Sequence, residues 1–349
     1  MRKIITFKLL FYMLTVILGA TEYNYNCIGK YTDNIGGNFK TAPFDGNLKT
    51  YIAWTDEQSD SDCGIIINFY KTLKITQVMI TTDSDVRNIA PSVEIWDIEK
   101  FIWIPFANKS KWQETTGRGG NNIFTLEELS GQQTCAVRII HTKQRFPIYE
   151  CAVWGKDKNG NDKLLTPTLA SNKSAKEKQL IIIPDKSRDL VTGNKRMTLW
   201  QPGGISGKFS AVGLCNGTPR NDRVLMRLNC SQLIERGKIQ KAELFFVAEL
   251  CGNLSHPFSL EYIENDNPEL TKNDLAYDRI IEVACFVSDN MKYPQEFKLD
   301  LTDIINMALS KGAGICKFRF RDIKADKLGN PQRITNSIML SNIKLVIIP

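Results

Sequence analysis

The chain has 349 residues, room for two domains of ordinary size, and its 42% apolar and 24% charged residues are those of a packed globular protein. Lys and Arg number 45 against 38 Asp and Glu, a net +7 that is spread rather than massed. That argues against a nucleic-acid binder, which carries a concentrated basic face, and two histidines, His141 and His256, leave little room for a His-rich metal centre.

Residues 1–20 open on Met1-Arg2-Lys3 and run from Ile4 to Leu18 through apolar residues broken by Thr6, Lys8 and Thr15. Gly19 and Ala20 follow, then the polar Thr21-Glu22-Tyr23-Asn24. A basic start, an apolar middle and a small-residue end predict a secretory signal peptide cleaved near Ala20. The competing reading is an uncleaved anchor, although a spanning helix wants about 20 apolar residues. No other stretch reaches spanning length, so the mature chain is expected to lack a membrane span and to be secreted or held at the cell surface.

Export makes sense of the nine cysteines: Cys27, Cys63, Cys135, Cys151, Cys215, Cys230, Cys251, Cys285 and Cys316. In an oxidising compartment such residues pair as disulfides, and no Cys-x-x-Cys spacing suggests zinc or a redox dithiol. Four precede residue 160 and five follow it, so the second half leaves one thiol free or pairs it elsewhere. The connectivity is open.

From Cys27 to Gly155 the pattern is one of short β-branched runs bounded by Asp, Asn, Gly and Pro. Gly64-Ile65-Ile66-Ile67-Asn68-Phe69, residues 75–81, Val93-Glu94-Ile95 and Cys135-Ala136-Val137-Arg138-Ile139-Ile140 are the clearest. They predict an antiparallel sandwich over residues 27–155. Residues 156–179 are polar, rich in Ser, Lys and Asn and without periodicity, and read as a linker. Strand patterns resume over residues 180–349, interrupted by one amphipathic helix beginning near Thr302 and stopped by Gly312. The expected fold class is all-β: two tandem β-sandwich (jelly-roll) domains, the second with a short helix.

The first domain resembles the discoidin family, the coagulation-factor type C fold to which many galactose-binding-like carbohydrate-binding modules belong. The resemblance is carried by Phe44-Asp45-Gly46-Asn47-Leu48-Lys49-Thr50 with Trp54, by Ile65 to Phe69 followed by Ile75-Thr76-Gln77-Val78, and by Val93-Glu94-Ile95 with Trp103. Ala136-Val137-Arg138-Ile139 and Glu150-Cys151-Ala152-Val153-Trp154-Gly155 look like its closing strands. The second domain is similar to the DNRLRE-type domain, or carbohydrate-binding module family 96. There the matching stretches are Asp222-Arg223-Val224-Leu225-Met226-Arg227-Leu228-Asn229, Ile239-Gln240-Lys241-Ala242-Glu243-Leu244-Phe245 and Phe297-Lys298-Leu299-Asp300-Leu301-Thr302. Asn229 departs from the Ser that usually follows Asp-Leu in that family.

The first resemblance implies a structural Ca²⁺ held by Asp45, Asn47 and Thr50, by carbonyls near Phe44, and by Glu150 from the last strand. Such mixed hard oxygens suit calcium. The competing reading is a plain turn in which Asp45 and Asn47 bond their own backbone. It also implies glycan recognition by loops at one end of the sandwich, residues 56–62, 83–88, 109–120 and 141–149. Arg87, Trp112, Arg145 and Tyr149 are the preferred contacts, with His141 behind them, and the arginines would favour an acidic sugar. Trp54 and Trp103 are assigned to the core. In the second domain, Arg223, Arg227, Lys241, Arg319 and Arg321 alternate with apolar residues, which predicts a basic, solvent-facing sheet surface.

No Gly-x-Ser-x-Gly, His-Glu-x-x-His or Gly-rich phosphate loop occurs. Cys151 and His141 could be taken as a thiol–imidazole pair, but in an exported, cysteine-rich chain a bridged Cys151 is the default. The expectation is a secreted, non-catalytic protein that recognises a polysaccharide through two modules. The alternative is a surface adhesion or structural protein with protein or envelope partners. The sequence is silent on oligomeric state.

Overall fold

The computed structural model describes residues 23–28, 31–33, 42–54, 63–83, 91–107, 112–116, 122–141, 147–156, 160–166, 179–185, 189–194, 197–202, 209–215, 218–251, 256–288, 295–323 and 337–349. The predicted signal segment, Arg87 and Arg145 lie outside them. Two antiparallel sheets, of eight and eleven strands, take up most of this chain, so the molecule is all-β as the run pattern predicts.

The first module uses β1 (Asn24–Ile28), β2 (Tyr31–Asp33), β3 (Ile52–Trp54), β4 (Cys63–Thr82) and β5 (Ser92–Asp97). It continues with β6 (Ile102–Pro105), β7 (Gln113–Thr116), β8 (Asn122–His141), β9 (Glu150–Lys156) and β10 (Asp162–Leu164). Its frame is the pair β4 and β8, 20 residues each, whose register breaks between Asn68 and Leu73. At the break Tyr70 takes φ 59° and Gly131 on the partner strand φ 62°. Lys71, Thr72 and Lys74 are exposed there, between buried flanks.

The ladder therefore turns a corner. Ile65, Ile67 and Phe69 before it, and Ile75, Val78 and Ile80 after it, line one core with Phe124, Val137 and Val153. A strand that faces one core on both sides of a corner serves both layers of a sandwich. Its two ends thus return to the same end of the module. There Trp54 meets His141 edge-on at 5.1 Å, Ile52 and Ile148 exchange two backbone hydrogen bonds, and the Tyr149 N–H donates to the Thr81 carbonyl at 2.9 Å.

The boundary at residue 155 is too early. β10 pairs with β9, Leu165 is buried in the first core, and the Val153 N–H donates to Thr166 Oγ1 at 2.9 Å. Residues 162–166 were indistinguishable from linker because a three-residue edge strand has no periodicity to show.

The second module uses β11 (Leu180–Ile182), β12 (Leu190–Asn194), β13 (Met197–Pro202), β14 (Phe209–Cys215), β15 (Thr218–Asn229) and β16 (Lys241–Cys251). β17 (His256–Ile263), β18 (Ile280–Ser288), β19 (Gln295–Asp300), β20 (Ile315–Asp322) and β21 (Ser337–Ile348) complete it. The main path runs β18-β17-β20-β15-β14-β21-β16-β19. The sheet curls until its terminal strands share a core: Phe286 of β18 and Phe297 of β19 lie 5.0 Å apart, and Phe246 stacks on Phe297 at 5.2 Å.

The predicted helix is α1 (Thr302–Ser310), which buries Ile305, Ala308 and Leu309. Its Asn306 pairs both ways with the Ile239 backbone, accepting at 2.9 Å and donating at 3.1 Å. Among the described residues no helix is long and apolar enough to cross a membrane.

The modules also touch directly. Tyr70, held outward by the β4 corner, is buried in the core of the second module and lies edge-on to Phe286 at 6.4 Å. Buried Asn68 accepts from the Val287 N–H at 2.9 Å and donates to the Val287 carbonyl at 3.3 Å. β18 ends its sheet, so this amide satisfies backbone groups that an edge strand would leave open.

Candidate functional site

The corner in β4 and β8 gathers β3, the last residues of β4 and the first of β9 at one end of the first module. Immediately before β3 lies the turn carrying the predicted metal ligands. Ala42, Pro43 and Phe44 form a buried single-turn helix, and Gly46 follows with φ 73°. Asp45 Oδ1 accepts from the Asn47 N–H at 2.8 Å, and Asn47 Oδ1 accepts from the Lys49 N–H at 3.1 Å. The Thr50 hydroxyl lies 2.8 Å from both Asp45 Oδ2 and the Asn47 carbonyl. These are the self-bonding contacts of Asp and Asn in tight turns.

Glu150 departs from that plain turn. It enters from the start of β9 and is buried facing Asp45, with the Gly46 and Asn47 N–H groups as the donors turned toward it. Burial first, and the neighbouring Asp45 carboxylate second, push its pKa up to about 8. Two carboxyl groups so placed create a deficit of positive charge. The four residues predicted to meet, Asp45, Asn47, Thr50 and Glu150, are thus in one place, with Thr50 positioning Asp45.

The donor set tests which metal suits it. Among the described residues no group of three His, Cys, Asp or Glu side chains assembles a metal site. Two carboxylates with amide, hydroxyl and carbonyl oxygens fit a hard cation that accepts mixed oxygens, as calcium does, and offer none of the nitrogen or sulfur that zinc prefers.

Beside this turn stand two tyrosines. Tyr51 directly follows Thr50, and Tyr149 directly precedes Glu150. Their rings lie 5.3 Å apart at 57°, both half-buried. The Tyr149 hydroxyl donates to Asp83 Oδ2 at 3.1 Å. Tyr51 and Asp83 escaped the sequence reading as site residues; their signal was adjacency to Thr50 and to the end of β4.

Two other predicted contacts are corrected. Trp112 is only 6% exposed, packed in the first core with its indole N–H donating to the Pro91 carbonyl at 3.3 Å. Its flanking polar residues suggested a loop tip, but it lies just before β7 and turns inward, so it offers no open face to a sugar. His141 is buried against Trp54, and burial pushes its pKa down to about 4. It is a core imidazole. Trp54 is buried as expected, while Trp103 is half-buried beneath the Arg138 guanidinium at 4.6 Å.

The basic sheet surface predicted for the second module is also corrected. Arg223, Arg227, Lys317 and Arg319 are buried beneath residues 264–279. Arg227 meets Asp189 at 2.8 Å and Glu269 at 2.9 Å, and Lys317 meets Asp274 at 3.0 Å. Arg319 meets Glu261 at 2.7 Å and donates to the carbonyls of Asp274 and Leu275, and Arg223 also donates to Leu275. Arg321 contacts Glu261 as well, while Lys241 stays half-exposed beside Glu243. Alternation along a strand cannot say whether a later segment covers that face; the acids of residues 264–279 were the available hint.

Fold and site together define an all-β protein of two packed sandwiches, with an acid turn and an aromatic pair at one end of the first. No protein-family model matches the chain, and no curated protein does. Among solved structures it is similar to CpGH89CBM32-6 produced by Clostridium perfringens, at 16% identity over 36% of this chain and 92% of that one, TM-score 0.27. It is similar also to the CBM32-1 and CBM32-2 domains of Clostridium perfringens ZmpB in complex with GalNAc, at 10% identity over 98% and 94%, TM-score 0.29. A fucolectin from Morone saxatilis serum follows at 10% identity over 94% and 96%, TM-score 0.27.

Proposed function

We propose that the chain is an exported, non-catalytic glycan-binding protein whose binding surface is the Tyr51–Tyr149–Asp83 end of the first module. The observation that carries this reading is the tyrosine pair itself. Two half-exposed rings set at an angle offer apolar faces to the C–H side of a pyranose, and the Asp83 carboxylate beside them accepts from hydroxyls. Arg87 and Arg145, four positions along the chain from Asp83 and Tyr149, are the candidates for an acidic sugar's carboxylate.

Calcium belongs to the same reading. Asp45, Glu150 and the oxygens of the 45–50 turn would hold it, and the ion would supply the positive charge that this cluster lacks. Its ligands neighbour both tyrosines in sequence, so binding would stiffen the turn before Tyr51 and the strand start after Tyr149. The second module acts as support, since Arg227, Lys317 and Arg319 are spent on buried ion pairs.

A glycan array probed at two salt concentrations tests the reading. Binding is expected, weakening with salt if the glycan is acidic. Tyr51→Ala and Tyr149→Ala should each lower affinity about tenfold while leaving the melting temperature within a few degrees. Silence on the array with retention on cells would instead support adhesion through a protein or envelope partner. Release of reducing ends or unsaturated products would overturn the non-catalytic part.

A further inference from the structure

The contact between the modules contains a pair of groups that neither module has alone. Cys135 lies on β8 of the first module and Cys285 on β18 of the second, 150 positions apart, yet their sulfurs are 3.6 Å from each other. Both are buried, in a cluster with Ile66, Trp96, Ala136, Ile140 and Val287. Two residues along β18 from Cys285, the paired hydrogen bonds of Asn68 with Val287 hold the strand in register against the first module.

We infer that Cys135 and Cys285 are the two halves of a disulfide that staples the second module to the first. A sulfur–sulfur bond is about 2 Å long, so the two sulfurs stand within about 2 Å of bonding distance. Within the second module the Cys316 and Cys230 thiols already contact each other.

The step balances with a disulfide oxidant such as oxidised glutathione. One cysteine thiolate attacks it and forms a mixed disulfide, expelling one glutathione thiolate. The second cysteine thiolate then displaces the other glutathione and closes the Cys135–Cys285 bond. The protein loses two electrons and two protons, and two molecules of reduced glutathione carry them away. Thiolates are the attacking species, and in the docked state the facing Cys135 sulfur first, and burial second, hold Cys285 well above the ordinary thiol range. The bond therefore forms as the modules come together, and the closed interface afterwards shields it from reductant.

The test uses the full chain, refolded with oxidised and reduced glutathione, alkylated, digested without reduction and mapped by mass spectrometry. The expected product is a Cys135 peptide joined to a Cys285 peptide, two hydrogens lighter than the pair and separated by reductant. The oxidised chain should melt at least about 5 °C above the reduced one. Cys135→Ser and Cys285→Ser should each reduce that difference by the same amount, and the double variant should match either single one. Recovery of both residues as alkylated thiols, or joined to other cysteines, would overturn the assignment. If the serine variants fail to fold, the wild-type peptide map decides alone. The result does not depend on glycan binding.

Discussion

Glu150 and Asp45 show how much a single residue decides at this site. Asp45 earns its place in the turn without any metal, because the Asn47 N–H and the Thr50 hydroxyl bond to it. Asp45→Ala would therefore weaken the turn with or without calcium and makes a poor probe. Glu150 faces the Gly46 and Asn47 N–H groups, but burial and the Asp45 carboxylate outweigh them, so its charged form is unfavourable until a cation arrives. The expected outcome is that millimolar Ca²⁺ raises the melting temperature of the wild-type chain by several degrees over chelator. Glu150→Gln should lose that gain and, in chelator, melt at or above the wild type. Differential scanning fluorimetry reads both, and a wild-type chain indifferent to Ca²⁺ would remove the metal from the proposal. The four ligand candidates were legible in the sequence as a motif plus a distant carboxylate. Trp112 and His141 were not, because a residue's type says nothing about which way a strand start turns.

Strands were legible wherever β-branched runs met turn residues, and α1 was legible from its apolar spacing and the following Gly312. What escaped is how one element covers another. The alternation of Arg223, Arg227, Lys241, Arg319 and Arg321 reads as a wet face, yet residues 264–279 close over Arg223, Arg227 and Arg319, with Leu270, Leu275 and Tyr277 packing beside Leu225 and Ile263. This cover is held by charge. Asp274 accepts from Lys317 at 3.0 Å, from Asn265 at 2.6 Å and from the Thr271 N–H at 2.7 Å. Removing one partner of a buried pair costs about 3–5 kcal/mol because the other is left uncompensated. Asp274→Ala strands Lys317, whose one other bond here is to the Glu269 carbonyl, and should cost that full amount. Lys317→Met leaves Asp274 with the Asn265 amide and the Thr271 N–H and hydroxyl as donors and fills the space with apolar volume, so it should cost less than half as much. Urea unfolding of the two variants measures the asymmetry; equal losses would mean that the pair does not hold the cover down.

At the scale of the whole molecule, the segment between the modules had the composition of a free tether, and a tether would let the two sandwiches unfold independently. The interface argues otherwise. The Tyr70 ring belongs to the core of the second module although its backbone turns the corner of the first, so the second core is incomplete when the first module is open. No periodicity announces such a residue: Tyr70 ends an apolar run and looks like an ordinary strand terminus. Because a disulfide would couple the modules by itself, the effect of packing must be read with thiols reduced. Calorimetry in reductant should then show one cooperative transition for the wild-type chain. Tyr70→Ala removes a buried aromatic, a change that costs about 3–5 kcal/mol in a core, and takes it from the second module's core while the β4 corner stays in place. Its thermogram should split, with the second module melting first and the first module near its original temperature. Two separate transitions already present in the reduced wild-type chain would show that the tyrosine merely touches the second core without tying the two together.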